Sequence, residues 1–322
     1  MASAGVSAIS GSVAKGRGAR RIPVRTNDSL RALAAFVILA CGLSWAWTLP
    51  FAAAGDVIEK GSGWPTHLPA LLGPAFAAML VTAWWSGREG LRELFSRMGR
   101  WRMPGRWWLA TLSPLAFFAV AIATAAATGN VPGWHAFGRY SGLPAIGVVA
   151  VSTIVLLGAL SEETGWRGFA LPVLQRRYGP LAAALLLTPL WAAWHAPLFL
   201  TVATYRGFPP AGYVGFLFSL ACGSIVLTWL YNRTGQSILA CAVWHGLFNM
   251  ATATAAGSGT VAAVTSALVV AQAVVLVALE LYALGHRRPS VLGGRSIAHP
   301  SWRRASLSFD AAPHVPRGER RD

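Results

Sequence analysis

The chain has 322 residues, of which 55% are hydrophobic and only 12% charged, and it carries a formal net charge of +16 at pH 7. That balance excludes a water-soluble domain and describes an integral membrane protein that crosses the bilayer repeatedly. It does not point to nucleic acid, because the Arg residues lie beside the ends of apolar runs and not in one basic domain.

Residues 1–29 are rich in Ala, Gly, Ser and basic residues, with Asp28 as their acid. They are expected to form a disordered cytoplasmic tail drawn to anionic head groups. A transit peptide has a similar composition, whereas a cleaved signal peptide is not expected, because the first apolar run is full length. Apolar runs of about 20 residues, enough to cross ~30 Å of hydrocarbon at 1.5 Å per residue, then recur along the chain. They lie near residues 31–54, 66–86, 107–127, 144–163, 180–200, 211–231, 236–256 and 259–284. Residues 30–286 therefore read as one all-α, polytopic transmembrane helical bundle of about eight spans. The stretch REGLRELFSRMGRW places Leu91, Leu94, Phe95 and Met98 at helical spacing among charges, which predicts an amphipathic helix on the inner surface. Trp84, Trp85, Trp107 and Trp108 flank it as an interfacial belt. Residues 287–322, rich in Arg, Ser and Pro, are expected to be a second disordered tail.

Cytoplasmic segments collect Lys and Arg. With the N-terminus inside, only Lys60, Arg139 and Arg206 of the 27 basic residues fall on the outer side, so both termini are expected in the cytoplasm. Cys41, Cys222 and Cys241 lie in apolar runs without paired spacing and read as small buried hydrophobes. His135 and Arg139 read as ordinary loop residues, and Glu280 as an interfacial group reaching water.

A charge inside the membrane costs at least ~2.5–3.5 kcal/mol, so such groups usually face a protein interior or a wet cavity and carry function. They fall in three places. The run SEETGWRGFALP supplies Glu162 and Glu163, with Arg167 one helical turn after the second. Glu163 and Arg167 can pair, while Glu162 points about 100° away. The run WAAWHAP supplies His195, one turn after Trp191 and two residues before Pro197. The run WHGLFNM supplies His245 and Asn249, again one turn apart on one helix side. If the fourth helix continues through Gly165 and Gly168 toward Pro172, and so is long and bent, the three groups reach one depth. Taken singly, His195 could be an inter-helix hydrogen-bonding partner and Glu163 with Arg167 a structural ion pair. An acid, two His and an Asn on three helices are harder to explain by packing.

Two chemistries fit. Glu162 could take a proton from water while His195 holds that water, and His245 and Asn249 could donate to the oxyanion of an attacked carbonyl. Alternatively, Glu162, His195 and His245 form a two-His, one-Glu set of the kind that holds a catalytic zinc. The first needs no cofactor and the second needs Zn. A transporter or proton relay using the same side chains would call for broken helices in paired halves, which the sequence does not display. An inactive membrane scaffold or immunity-type binding protein of the same fold is a third possibility.

Glu162, Glu163 and Arg167 as EExxxR, Trp191 and His195 as WxxxH, and His245 and Asn249 as HxxxN, in that order, resemble the motifs of the CPBP intramembrane proteases, the CAAX prenyl endopeptidase and bacteriocin-processing family. The resemblance covers roughly residues 66–256. It implies an eight-helix fold around a conical cavity open to cytosol and lipid, and peptide-bond cleavage by activated water. It further implies Glu162 as base, supported by Glu163 and Arg167, His195 sharing the water, and His245 with Asn249 as the oxyanion site. The partners it implies are membrane lipids and a peptide or lipidated protein, and the Ala- and Arg-rich composition suits a bacterial cell membrane.

Overall fold

The computed structural model describes residues 26–294; the tail residues 1–25 and 295–322 lie outside that range. Within it the chain is all helical apart from loops and one isolated backbone bridge. The main helices are α1 (Thr26–Ala54), α2 (Gly73–Met98), α3 (Gly105–Thr111), α4 (Ser113–Ala127) and α5 (Val148–Gly165). After a π-helical turn, Trp166–Ala170, come α6 (Leu171–Gln175), α7 (Pro180–Trp194), α8 (Leu198–Thr201), α9 (Ala203–Arg206), α10 (Pro210–Arg233), α11 (Ile238–Thr252) and α12 (Gly259–Gly285).

Among the described residues, six helical segments are long and apolar enough to cross a membrane. The third and seventh positions of the sequence pattern need qualification. α3 and α4 meet at a 42° bend and are long and apolar enough to cross only when taken together, and α11 has 15 residues, about 22 Å at the α-helical rise, which falls short of the hydrocarbon core. α11 is instead enclosed by protein, with Cys241, Ala242, Trp244, His245 and Gly246 all buried. The lipid-length helices turn large apolar side chains outward, such as Ile38, Val149, Val214 and Val274. With no water to satisfy backbone polar groups in hydrocarbon, this all-helical, outwardly apolar chain is an integral multi-pass membrane protein.

At Gly87 the backbone leaves the helical region, with φ 60° and ψ −157°, a conformation open to glycine. The amphipathic stretch after it thus turns away from the span and buries Leu94 while Phe95 stays exposed. Arg97 then reaches the carbonyl of Gly168 and the hydroxyl of Tyr231, 3.1 and 2.7 Å away.

One end of the bundle is basic. There Arg100 donates to the Gly235 carbonyl, and the Ser237 hydroxyl bonds the Arg100 carbonyl. At the other end the connections are tied to one another. Ile58 N–H donates to Thr201 O over 2.7 Å, Ala203 N–H to Ile58 O over 3.1 Å, and Gly61 N–H to Ser141 O over 2.9 Å. Lys60 Nζ donates to Thr254 O, and Ala255 N–H to Arg139 O, each over 2.9 Å.

Two expectations for the C-terminal part are corrected. Glu280 does not reach water; it is 1% exposed and accepts from the Ser290 hydroxyl and the N–H groups of Val291 and Leu292 at 2.7, 2.6 and 2.9 Å. Residues 287–294, expected as the start of a tail, turn back against the bundle. Leu292 is fully buried in the core, and Asn232 Nδ2 donates to its carbonyl over 2.9 Å. A carboxylate at a helix end can gather backbone N–H groups that any sequence offers.

Candidate active site

The end of α5 packs closely on the start of α2. A Cβ on Gly165 would stand 2.7 Å from Pro74 Cβ and 2.8 Å from Pro74 O, so only glycine lets α5 lie this near the start of α2. The helix does continue past Gly165, as the depth argument required, and it does so through a π turn, a feature often found at functional sites. Arg167 sits in that turn, completely buried, and its Nη1 is 3.0 Å from Glu163 Oε1. Its guanidinium lies 4.3 Å from the centre of the Trp191 ring. The cation is thus held by a carboxylate and an aromatic face together.

Glu163 Oε1 also accepts from His245 Nδ1 on α11, 2.8 Å away. A carboxylate only accepts, so this proton resides on Nδ1 of His245. Glu162 turns to α7, where Trp191 Nε1–H donates to its Oε2 over 3.1 Å. The carbonyl of the same Trp191 takes the Nδ1 proton of His195 over 2.7 Å, which leaves the lone pair of His195 on Nε2. His195 lies just past the last residue of α7, at its C-terminal cap, where Pro197 prevents the helix from continuing. Both imidazoles pack near the Trp191 indole, with ring centres 5.6 Å away for His245 and 5.8 Å for His195.

Glu162, Glu163, Arg167, His195 and His245 are therefore gathered around one indole, all of them buried. Glu162 Oε1, His195 Nε2 and His245 Nε2 bond no described residue, and none of the three is sealed from solvent. Asn249 follows His245 by one turn of α11; its half-buried carboxamide bonds no described side chain. Among the described residues no three His, Cys, Asp or Glu side chains are arranged to hold a metal ion. The set Glu162, His195 and His245 is not among such groups. The three cysteines are free thiols.

Other groups adjoin this cluster that the motifs did not single out. Tyr140, before α5, and Tyr205, in α9, have hydroxyls that bond no described residue and are not sealed from solvent. The Tyr205 phenol is pushed up to about 12, by burial first and then by the charge of Glu162. Tyr140 is pushed up as well, by burial, then by Glu162 and Tyr205. Both phenols therefore sense the Glu162 carboxylate. His67, just before α2, packs edge-on against Tyr140 with ring centres 5.6 Å apart. No local pattern marks these three, because each comes from a connecting segment placed by the ties at the non-basic end.

Residues 143–251 match the family model described as Rce1-like, type II CAAX prenyl endopeptidase. Over 106 residues the chain is 34% identical to the CAAX prenyl protease 2 of Methanococcus maripaludis. That match takes in 32% of this chain and covers 39% of the relative's length. The stretch that carries every member of the polar cluster, from Glu162 to Asn249, lies within the residues that match the Rce1-like CAAX prenyl endopeptidase model.

Proposed function

We propose that the protein is an intramembrane endopeptidase that hydrolyses peptide bonds of membrane-associated substrates, including lipidated tails, with water activated by Glu162. The observation that carries this reading is the pairing made through Trp191. Its indole N–H fixes one oxygen of Glu162 and its carbonyl fixes the tautomer of His195. A free carboxylate oxygen and an imidazole lone pair are thereby available to one water molecule.

In this reading water donates one hydrogen bond to His195 Nε2 and gives its other proton to Glu162 as its oxygen attacks the scissile carbonyl. The oxyanion takes hydrogen bonds from Asn249 and from His245. For His245 to donate from Nε2 it must hold both ring protons, and it then balances the second carboxylate of a cluster that already contains Arg167. Glu162 returns its proton to the departing amine. Glu163 and Arg167 hold His245 and the Trp191 ring in place. The basic end is proposed to face the cytoplasm, with both termini on that side.

The test is to purify the full chain in lipid nanodiscs, supply a library of membrane-anchored peptides, and compare wild type with Glu162→Ala and His195→Ala, with and without chelator. Cleavage by wild type that both substitutions abolish is the expected result. Cleavage that survives both would overturn the assignment, and cleavage lost to chelator and restored by zinc would replace the metal-free water activation with a metal-assisted one.

A further inference from the structure

Arg167 is not fixed by its own bonds. Its Nη1 meets Glu163, while Nε and Nη2 are buried and bond no described residue. The Trp191 ring face attracts the cation without setting its angle. Where the guanidinium stands therefore depends on the backbone that carries it, the π turn Trp166–Ala170. In that turn one N–H is redirected and the next is missing. Leu171 N–H bonds Trp166 O, one residue further back than an α-helix would take it. Pro172 then has no N–H to close the α-helical bond onto Gly168 O.

A donor for that carbonyl comes from another helix. Arg97 Nη1 is 3.1 Å from Gly168 O and 2.7 Å from the Tyr231 hydroxyl. The Arg97 side chain is largely buried, whereas Glu93, 3.5 Å from its Nε, is exposed, so that surface pair contributes little. A second contact is made at the same residue. A Cβ on Gly168 would stand 2.8 Å from Ile238 Cδ1 and 3.0 Å from Leu94 Cδ1. The bare backbone at Gly168 thus lets three segments converge. Leu94 and Arg97 belong to the amphipathic part of α2 beyond Gly87, and Ile238 opens α11, the helix that carries His245 and Asn249.

We propose that Arg97 is a positioning residue. By giving Gly168 O the donor that Pro172 withholds, it holds the π turn in the geometry that sets Arg167 against Glu163 and Trp191. The amphipathic stretch is thereby a working part of the site as well as a surface anchor. The effect on rate rests on the endopeptidase reading; the effect on the turn does not.

Arg97→Met keeps the apolar stem and removes the donor. In full-length protein in nanodiscs, amide hydrogen exchange across residues 163–171 should quicken about tenfold, the worth of one hydrogen bond, with α12 unchanged. In cleavage of membrane-anchored peptides, kcat should fall about tenfold and KM stay within about twofold. Arg97→Lys should recover most of both losses, because both contacts come from one nitrogen and an ammonium offers three protons. Glu93→Gln should match wild type in both readouts. Pro172→Ala returns an N–H opposite Gly168 O, so adding Arg97→Met to it should change the exchange by less than about threefold. The proposal is overturned if Arg97→Met leaves exchange in 163–171 as in wild type, or if exchange rises through the whole bundle with a matching loss of thermal stability. It is equally overturned if kcat holds while the turn loosens, if Arg97→Lys is no better than Arg97→Met, or if Arg97→Met acts alike with and without Pro172. Should wild type cleave nothing while the exchange results hold, the endopeptidase reading fails and the positioning of the turn stands. Should wild type cleave, and Arg97→Met cleave equally well with unchanged exchange, the reading stands and the proposal fails.

Discussion

Trp191 Nε1–H donates to Glu162 Oε2 across 3.1 Å, between side chains that are 29 residues apart in the chain. The bond leaves one carboxylate oxygen committed and the other open. Trp191→Phe keeps an aromatic ring over Arg167 and removes only the donor. An unsatisfied partner at such a site costs about 1–3 kcal/mol, so kcat should fall by roughly 5- to 150-fold with little change in the melting temperature. Steady-state cleavage and far-UV circular dichroism on the same preparation check both halves.

Glu163 binds Arg167 and His245 through one oxygen, and its side chain and that of Arg167 are wholly buried. Glu163→Gln keeps the shape and leaves the Arg167 guanidinium without its bonded carboxylate. Breaking a buried pair on one side costs about 3–5 kcal/mol. This variant should lose thermal stability along with activity, unlike Trp191→Phe, as read by thermal unfolding in detergent or by limited proteolysis.

Gly165→Ala puts a methyl group within 2.8 Å of the Pro74 carbonyl oxygen. A backbone atom cannot yield as a side chain can, so α5 must move off α2 at the level of Glu162 and Glu163. Overpacking of this kind costs about 1–3 kcal/mol, and activity should fall with it. Gly42→Ala, where a Cβ would meet nothing within 4 Å, serves as the control and should leave both readouts unchanged.

His67 gives a pH signature of its own. Its imidazole is lowered from 6.5 to about 4, so between those values the unfolded chain binds the extra proton and the folded chain does not. Stability contributed by this group is therefore full above about pH 6.5 and is lost as pH falls toward 4, by a total on the order of 3 kcal/mol. Comparing wild type with His67→Gln in thermal unfolding from pH 7 to pH 4 should show a shallower decline in the variant.

Much of this was legible in the sequence because the signals are local. Apolar runs of span length gave the helices, and a four-residue spacing gave the Glu163–Arg167 pair, since helical periodicity puts those positions on one face. The same spacing located His245 and Asn249 on α11, but not the orientation of His245 toward Glu163, which depends on how α11 packs against α5. His67, Tyr140 and Tyr205 carried no such signal. Their positions follow from ties such as Ile58 with Thr201 and Ala203, and Gly61 with Ser141, which join segments far apart in the chain through backbone groups common to every residue. Glu280 was misread for a related reason, because two of its three partners are main-chain N–H groups.

The Glu280 contacts bear on how the protein should be handled. Hydropathy alone would place a truncation near residue 286, where the last apolar run stops. Cutting there would remove Ser290, Val291 and Leu292 together and strand an anion in the bundle floor, so a shortened version intended for crystallisation or tagging should retain the chain through Gly294.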